Sequence, residues 1–287
     1  MTPTTSPTAK TASEVRVLVL RAAGTNCDDE TVRAFRAAGA SVERLHLNEL
    51  SRDPARLEDH RILALPGGFS YGDYIAAGRV FAIELRHRLA GPLERFVADG
   101  GLVLGICNGF QILVELGLLD APSSGARRFS LTDNASSRFE CRWVTLREER
   151  CAVPWLEPGR RMPVPVAHAE GRFVVRDPGV LEELRSRGQI ALTYVAPEGS
   201  ESSAGSGTSV PYPWNPNGSV ANIAGLCDPT GRILGLMPHP ERNLAPWNHP
   251  TWTRLPERTE GEGLSFYRRM VRAAERSGTL NHVGTSP

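Results

Sequence analysis

The residues best suited to chemistry in this sequence surround Cys107. This cysteine lies between Gly105 and Gly109, after an apolar run at 102–106 and before an apolar segment with helical spacing that stops at Gly117. The order predicts a strand, a sharp turn and a helix, with the central side chain of the turn projecting at the carboxyl end of the strand. A cysteine in such a turn can act as a nucleophile. The alternative is a buried structural cysteine in a glycine-rich turn.

His239 and Glu241 could supply the two other groups that a cysteine nucleophile needs. They belong to the motif Pro-His-Pro-Glu at 238–241, and because two prolines disfavour a helix, we expect an extended segment with both side chains on one face. The carboxylate could then orient the imidazole, which would take the thiol proton and later protonate the leaving amine. Taken alone, the motif favours two exposed polar residues in a turn.

Two other sites compete with this interpretation. Cys27 also follows a strand at the start of a helix, but the acidic residues 28–30 would raise the pKa of its thiol. A metal site could combine the His-x-Glu motifs at 168–170 and 239–241. The sequence contains neither His-Glu-x-x-His nor the Pro-Cys-x-x-Cys that accompanies His-x-Glu in zinc deaminases. We therefore predict Cys107 as the nucleophile and no metal ion.

The segments before Cys107 have the order expected of a parallel α/β sheet. Apolar runs at 15–20, 41–47 and 61–65 predict strands, a helix follows the first of them, and 79–98 predicts two helical pieces interrupted at Gly91-Pro92. From Phe139 onward, short alternating runs predict a smaller, partly antiparallel layer. The predicted fold class is α/β, with a mostly parallel open sheet, helices on both faces, and this smaller layer.

The loop after the third predicted strand contains two glycines that could take part in a site. Gly67, Gly68 and Phe69 follow the third predicted strand, and in parallel sheets ligands bind at the carboxyl ends of the strands. Glycines there could present backbone N–H groups to an oxyanion. An isolated Pro-Gly-Gly is more often an ordinary tight turn, and the nearby nucleophile candidate is what favours the oxyanion interpretation.

Composition narrows the class of protein. The 287 residues contain 33 Lys and Arg against 32 Asp and Glu, which gives no global positive field for nucleic acid or an anionic membrane. Five scattered cysteines without a Cys-x-x-Cys pair fit a reducing cytoplasm. We expect a disordered tail at 1–13, one domain at 14–276 with a flexible Gly/Ser-rich insertion at 198–209, and a tail at 277–287. No apolar run is long enough for a membrane span.

Several motifs in order resemble those of class I, triad-type glutamine amidotransferases, and most closely the glutaminase subunits of phosphoribosylformylglycinamidine synthase. The matching blocks are GTNCDDE (24–30), PGGFSYGDY (66–74), GICNGFQIL (105–113), RFE (138–140), VAHAEGRF (166–173), NPNGS (215–219), NIAGL (222–226) and GLMPHPER (235–242). A lone Gly-x-Cys-x-Gly is weak evidence, whereas eight ordered blocks are specific.

The resemblance implies a role for each matched site residue. Cys107 would form a γ-glutamyl thioester, His239 would act as base and then acid, and Glu241 would orient His239. The remaining implied site residues are those that bind the oxyanion or the substrate: Gly67, Gly68, Phe69, Asn108, Gln111 and Arg138.

The resemblance also implies partners. Glutamine is the expected substrate, and ammonia would pass to a large synthetase subunit, with a small bridging subunit in the same complex. ATP and Mg²⁺ are expected on the synthetase, and no cofactor on this chain, which lacks Gly-x-x-x-x-Gly-Lys-Ser/Thr. Two alternatives remain: a non-catalytic protein that keeps the fold as an interaction module, and a free-standing cysteine hydrolase that is active without a partner.

Overall fold

A computed structural model describes residues 15–120, 127–199 and 210–280. The predicted tail at 1–13, most of the insertion at 198–209 and the end of the tail at 277–287 lie outside these residues. The elements are β1 (Arg16–Arg21), α1 (Asp28–Ala37), β2 (Ser41–His46), α2 (Leu47–Arg52), β3 (Ile62–Leu65), α3 (Arg79–Ala98), β4 (Leu102–Ile106), α4 (Asn108–Leu116), β5 (Phe129–Thr132), β6 (Glu140–Glu148), β7 (Arg161–His168), β8 (Arg172–Val175), α5 (Pro178–Ser186), β9 (Ile190–Val195), β10 (Ile223–Cys227), β11 (Ile233–Leu236) and α6 (Glu262–Leu280).

Nine strands form one mixed sheet in the order β2-β1-β3-β4-β11-β10-β9-β6-β7. The first five pair in parallel, and the pairs from β11 to β7 are antiparallel. The predicted α/β class is confirmed. Most of the antiparallel strands extend the main sheet, because β10 returns beside β11, and only β5 and β8 form a separate two-stranded ladder.

The strand order reverses direction next to β1. From β1 the chain crosses to β2 on one side, and then returns to β3 on the other side of β1. Crossovers between parallel strands are right-handed, so such a reversal opens a crevice at the carboxyl ends of the two central strands. An isolated bridge between Thr25 and Gly68 joins the loops that follow β1 and β3 at this crevice. The elbow cysteine follows β4, the next strand of the sheet.

The region predicted as two helical pieces is one helix, α3, with Pro92 in its interior. The interruption predicted at Gly91-Pro92 is therefore wrong. Proline removes one backbone hydrogen bond, but the buried face of Leu85, Leu89, Leu93 and Phe96 continues through it at helical spacing. Packing of that face holds the helix together. Within the described residues no helix has the length and apolar character needed to cross a membrane.

Candidate active site

Cys107 occupies a strained turn between β4 and α4. Its φ of 52° and ψ of −107° lie in a region that residues with a side chain rarely adopt. The turn is held on both sides: the Cys107 N–H donates to Leu236 O on β11 at 2.8 Å, and the Gln111 N–H donates to Cys107 O at 3.1 Å. Such strain persists only where surrounding contacts enforce it, which is typical of functional turns.

The two flanking glycines allow this turn to close. A Cβ on Gly105 would lie 2.6 Å from Gly109 O, and a Cβ on Gly109 would lie 1.9 Å from Leu65 O at the end of β3. No side chain fits at either position, because real Cβ atoms do not approach backbone oxygen so closely. The spacing Gly-x-Cys-x-Gly therefore follows from close packing of α4 on β3 and β4.

His239 and Glu241 form a buried hydrogen-bonded pair after β11. The Nδ1 atom of His239 lies 2.6 Å from Oε1 of Glu241, and the two residues are 1 % and 4 % exposed. The expected extended segment is wrong, because Pro240–Arg242 forms a short 3₁₀ turn with proline at its first position, where a missing N–H costs nothing. The turn still brings the two side chains together. Tyr267 on α6 donates to the other carboxylate oxygen of Glu241 at 3.5 Å.

The negative charge of Glu241 helps to raise the pKa of His239. Burial lowers the pKa of the ring, but the negative charges of Glu241 and Cys107 outweigh burial and raise it to about 10. The Nε2 atom of His239 is buried without a hydrogen-bond partner of its own in the described residues. With Nδ1 held by the carboxylate, Nε2 is the atom left to exchange a proton.

The absence of a side chain at Gly67 allows His239 and Cys107 to approach each other. The position that a Gly67 Cβ would take lies 2.9 Å from Cε1 of His239 and 3.3 Å from Cβ of Cys107. Any side chain at position 67 would therefore separate the two catalytic candidates. The structure places Cys107, His239 and Glu241 in one cluster, as their residue types suggested.

The candidate oxyanion groups are not equivalent. The N–H of Phe69 donates to Gly24 O at 3.1 Å, so this group is already used. Gly68, at φ +135°, lies so close to the loop after β1 that a Cβ would stand 2.7 Å from the backbone nitrogen of Asn26. Asn108 is the first residue of α4, where a helix leaves its N–H groups unpaired. Gly68 and Asn108 are thus the better-placed donors.

The side chains of Asn108 and Gln111 are occupied by the protein. Oδ1 of Asn108 accepts from Ser70 Oγ at 2.6 Å, and its Nδ2 donates to both Asp73 Oδ1 and Gln111 Oε1 at 3.1 Å. Gln111 Nε2 donates to the backbone oxygen of Glu170 at 2.5 Å. Gln111 lines the pocket of Cys107, yet both ends of its amide already have partners. The hydrogen bonds of Gln111 to Asn108 and Glu170 thus link two sides of the pocket.

Arg138 is not brought into the pocket. It lies on the exposed loop before β6, where its backbone oxygen accepts from Asn134 Nδ2 at 2.9 Å. Its neighbour Phe139 stacks on Phe69 with ring centroids 6.5 Å apart, and both rings are about half exposed, at 50 % and 47 %. Arg138 therefore lies near the mouth of the pocket, while the aromatic pair forms part of the rim.

Cys27 lies beside the cluster of Cys107, His239 and Glu241. Its Sγ accepts from Nη2 of Arg242 at 3.3 Å, and Nε of that arginine donates to Glu30 Oε2 at 3.0 Å. Burial and then the charge of Glu241 raise the pKa of Cys27 well above its ordinary value, although Arg242 opposes this. Cys27 is thus a thiol that packs behind the histidine, which agrees with Cys107 as the nucleophile.

The alternative metal site on His168 and Glu170 does not form. In the described part of the chain, the one group of side chains with ligand spacing is Cys27, His239 and Glu241. The 2.6 Å contact between His239 and Glu241 is a direct hydrogen bond, shorter than the roughly 3.3 Å between neighbouring ligand atoms around tetrahedral zinc. His168 is instead a buried neutral histidine. Burial and the charge of His239 lower its pKa to about 3, and its Nδ1 pairs with Asn134 Oδ1 at 3.1 Å.

Two carboxylates, Asp73 and Glu170, line the same pocket as Cys107. Asp73 ends a short 3₁₀ turn at Ser70–Asp73, and Glu170 follows β7. Both belong to matched blocks, PGGFSYGDY and VAHAEGRF, but Asp73 was given no role from the sequence and Glu170 was considered only as a metal ligand. A larger cavity of about 820 Å³ lies between α5 and residues 210–221, and none of the predicted site residues lines it.

Comparisons with known proteins identify the family of this chain. Residues 14–273 match the family of CobB/CobQ-like glutamine amidotransferase domains. Phosphoribosylformylglycinamidine synthase subunit PurQ of Dehalococcoides mccartyi is 43 % identical over 263 residues, which are 91 % of this chain and 98 % of that protein. The PurQ subunit of Archaeoglobus fulgidus is 44 % identical over 245 residues, covering 80 % of this chain and 88 % of its own length.

A solved structure agrees as well. A chain in the structure of PurLQS from Thermotoga maritima superimposes with a TM-score of 0.62 at 30 % identity, covering 94 % of this chain and 99 % of that one. Sequence similarity and fold similarity thus extend over most of this chain. This protein belongs to the PurQ family of phosphoribosylformylglycinamidine synthase subunits and carries the glutamine amidotransferase domain of that family.

Proposed function

We propose that this chain is the glutaminase subunit of a phosphoribosylformylglycinamidine synthase in purine biosynthesis. It would hydrolyse glutamine to glutamate and ammonia with Cys107, His239 and Glu241, and supply the ammonia to a synthetase subunit. The observation that carries the proposal is the buried His239–Glu241 pair beside a cysteine in a strained elbow, in a chain of this family.

The first half of the reaction forms the thioester. The raised pKa of His239 makes its imidazole a strong base, which takes the thiol proton of Cys107 and leaves a thiolate nucleophile. The thiolate attacks the side-chain carbonyl carbon of glutamine and pushes an electron pair onto its oxygen. As the tetrahedral intermediate collapses, the C–N bond breaks, and Nε2 of His239 gives its proton to the leaving nitrogen. Ammonia leaves, and a γ-glutamyl thioester remains on Cys107.

The second half regenerates the enzyme. His239, now neutral, takes a proton from water while the water oxygen attacks the thioester carbon. Collapse of this intermediate breaks the C–S bond, releases glutamate and restores the Cys107 thiolate beside the imidazolium. The backbone N–H groups of Gly68 and Asn108 are the donors that we assign to the oxyanion in both halves, since Phe69 N–H is engaged by Gly24. Glu241 keeps His239 in one orientation throughout.

The partners follow from the family. The chain would act in a complex with a large synthetase subunit, which would hold ATP and Mg²⁺, and a small bridging subunit. The relatives are named as synthase subunits, and the similar Thermotoga maritima chain comes from a structure of PurLQS, which supports this assembly. We propose a cytoplasmic complex in which residues 14–276 act as one domain. The exposed aromatic pair of Phe69 and Phe139 at the pocket rim is available for contact with a partner surface.

The test compares two nitrogen sources in the assembled complex. Cys107→Ala should abolish synthesis with glutamine and leave synthesis with ammonia unchanged. Cys27→Ala is the matched control, because Cys27 is the other buried thiol beside His239 and should keep both activities. A diazo ketone analogue of glutamine should label wild type and Cys27→Ala, and not Cys107→Ala. Glutamine-dependent synthesis by Cys107→Ala would contradict the proposal and favour a non-catalytic subunit.

A comparison of the isolated chain with the complex tests the remaining alternative, a free-standing cysteine hydrolase. The isolated chain should hydrolyse glutamine much more slowly than the complex does, if its chemistry serves the synthetase. Rapid hydrolysis of varied amides by the isolated chain would instead favour a free-standing cysteine hydrolase.

A further inference from the structure

The larger cavity lies apart from the pocket of Cys107 and has no role in the proposed reaction. Its volume of about 820 Å³ is enclosed by Leu181 and Arg185 of α5, by Arg172 at the start of β8, and by residues 210–221. Small-molecule sites in proteins usually have volumes of about 300–1,000 Å³. The cavity is therefore large enough to hold a small organic ligand.

The wall of this cavity carries positive charge. Arg172 and Arg185 line it, and among the described residues no aspartate or glutamate does. The Nε atom of Arg172 is buried and has no hydrogen-bond partner in the described part of the chain. Arg185 contacts Glu182 at 3.7 Å, but both side chains are exposed, so this ion pair is weak. Because a buried guanidinium N–H normally has an acceptor, the cavity lacks the anion that its charges would favour.

Hydrogen bonds of a buried asparagine hold part of this wall in place. Nδ2 of Asn215 donates to Ser219 O at 2.9 Å and to Asn222 Oδ1 at 3.2 Å. Its Oδ1 accepts from the backbone N–H of Gly218 at 3.0 Å. Ala221, which also lines the cavity, has a φ of 51° that residues with a side chain rarely adopt. Such a conformation persists only where its surroundings enforce it, so the wall is formed before a ligand arrives.

Arg172 is fixed against the same wall by the residues on both sides of it. Phe173 donates its backbone N–H to Ser219 Oγ at 2.9 Å, and the carbonyl oxygen of Gly171 accepts from Asn217 Nδ2 at 2.7 Å. The position that a Gly218 Cβ would take lies 3.7 Å from Nε of Arg172. The arginine backbone therefore loses little freedom when its side chain binds an anion.

The rest of the cavity offers apolar and aromatic surface. Leu181, Pro211 and Pro216 line it together with Tyr212, which is 58 % exposed. The guanidinium carbon of Arg142 lies 4.5 Å from the centre of the Tyr212 ring, a cation–π contact that holds the ring in place. A flat ring of a ligand can pack on such tyrosine and proline surfaces.

We propose that this cavity binds a small organic phosphate that carries a flat ring, of the mononucleotide class. The phosphate oxygens accept from Arg172, including its Nε–H, and from Arg185, while the ring packs against Tyr212 and the prolines. A phosphate monoester carries nearly two negative charges at neutral pH, which two guanidinium groups can balance. Inorganic phosphate alone would leave the apolar part of the cavity unfilled. The site is independent of the chemistry at Cys107.

The experiment titrates the full-length chain without its partners, because a synthetase subunit would bind nucleotides itself. Calorimetry compares adenosine monophosphate (AMP) with adenosine and with inorganic phosphate, and AMP should bind at least about tenfold more tightly than either. Arg172→Gln and Arg185→Gln should each weaken AMP binding roughly 10- to 100-fold, the effect of losing a hydrogen bond to a charged group. Tyr212→Leu should weaken binding of AMP and leave that of inorganic phosphate unchanged.

The matched control is Arg187→Gln, which should bind AMP as wild type does. Arg187 follows α5 and pairs with Glu183 at 2.7 Å, and it does not line the cavity. Arg185 is exposed, so its variant should fold even if Arg172→Gln does not, and thermal melting checks each variant.

Three results would overturn the inference. Wild type might not bind AMP at millimolar concentration, or both arginine variants might bind it as tightly as wild type, or inorganic phosphate might bind as tightly as AMP. A last titration tests the location: excess glutamine should not displace AMP from the Cys107→Ala chain. Displacement would place AMP in the pocket of Cys107 and would also overturn the inference.

Discussion

Replacement of Glu241 by glutamine tests the electrostatic part of the mechanism. The change keeps size and leaves an oxygen to accept from His239 Nδ1, but it removes the negative charge 2.6 Å from the ring. One pKa unit corresponds to about 1.4 kcal/mol. The rise in the pKa of His239 from 6.5 to about 10 therefore corresponds to about 5 kcal/mol in favour of the imidazolium, to which Glu241 is the first favourable contributor after the opposing effect of burial.

Without that charge His239 should become a much weaker base for the thiol proton of Cys107. We expect Glu241→Gln to lower glutamine-dependent kcat/KM by roughly 1,000-fold, about 4 kcal/mol of transition-state stabilisation. Ammonia-dependent synthesis should not change, because it bypasses this site. The pH profile should also shift, since the pKa of His239 falls towards or below its ordinary value once burial is no longer offset.

The assay measures both nitrogen sources across pH with the assembled complex. Tyr267→Phe is the matched control: it removes only a 3.5 Å hydrogen bond to the same carboxylate and should cost less than about tenfold. A Glu241→Gln variant that kept glutamine-dependent activity within about threefold of wild type would refute the reasoning, because the charge would then have no role in forming the nucleophile.

Three further changes test other parts of the structure. The pKa of His168 is lowered to about 3, so the stability that this residue contributes is present above pH 6.5 and is lost as pH falls towards 3. Chemical denaturation at pH 5 should therefore show a free energy of unfolding about 2 kcal/mol below its value above pH 6.5, and His168→Asn should lack this loss. Gly109→Ala would place a Cβ 1.9 Å from Leu65 O and should destabilise the protein by about 3 kcal/mol and prevent labelling, whereas Gly91→Ala, with 3.5 Å of room, should do neither. Cys27→Ala should retain glutamine turnover within about threefold, measured as glutamate release.

Much of the chemistry could be predicted from the sequence because it is local. The elbow needs a strand, a helix and two glycines within a few residues of Cys107, and steric limits on Cβ act over that range. The pair of His239 and Glu241 is two residues apart, so a short turn suffices to join them, although that turn is 3₁₀ and not extended. Hydrophobic periodicity likewise indicated the parallel strands.

Other features depend on segments that are distant along the chain. Ala77 and Glu170 are 93 positions apart, and only the order of strands in the sheet brings Asp73 and Glu170 to one pocket. The same applies to Phe69, whose N–H is taken by Gly24 across a loop bridge, and to Gln111, whose amide is held by Glu170. Hydrogen-bond partners are set by position in space, which residue type alone does not specify.

Helix α3 shows that tertiary packing can also overrule a local sequence signal. Gly91-Pro92 is a local signal for a break, and burial of the leucine face on the rest of the protein outweighs it. Sequence by itself thus determined the family and predicted a nucleophile and its base, since these depend on short-range geometry and residue type. Tertiary structure decided which backbone donors remain free, which amides are occupied and which acids line the pocket of Cys107, because those depend on contacts that exist only once the sheet has assembled.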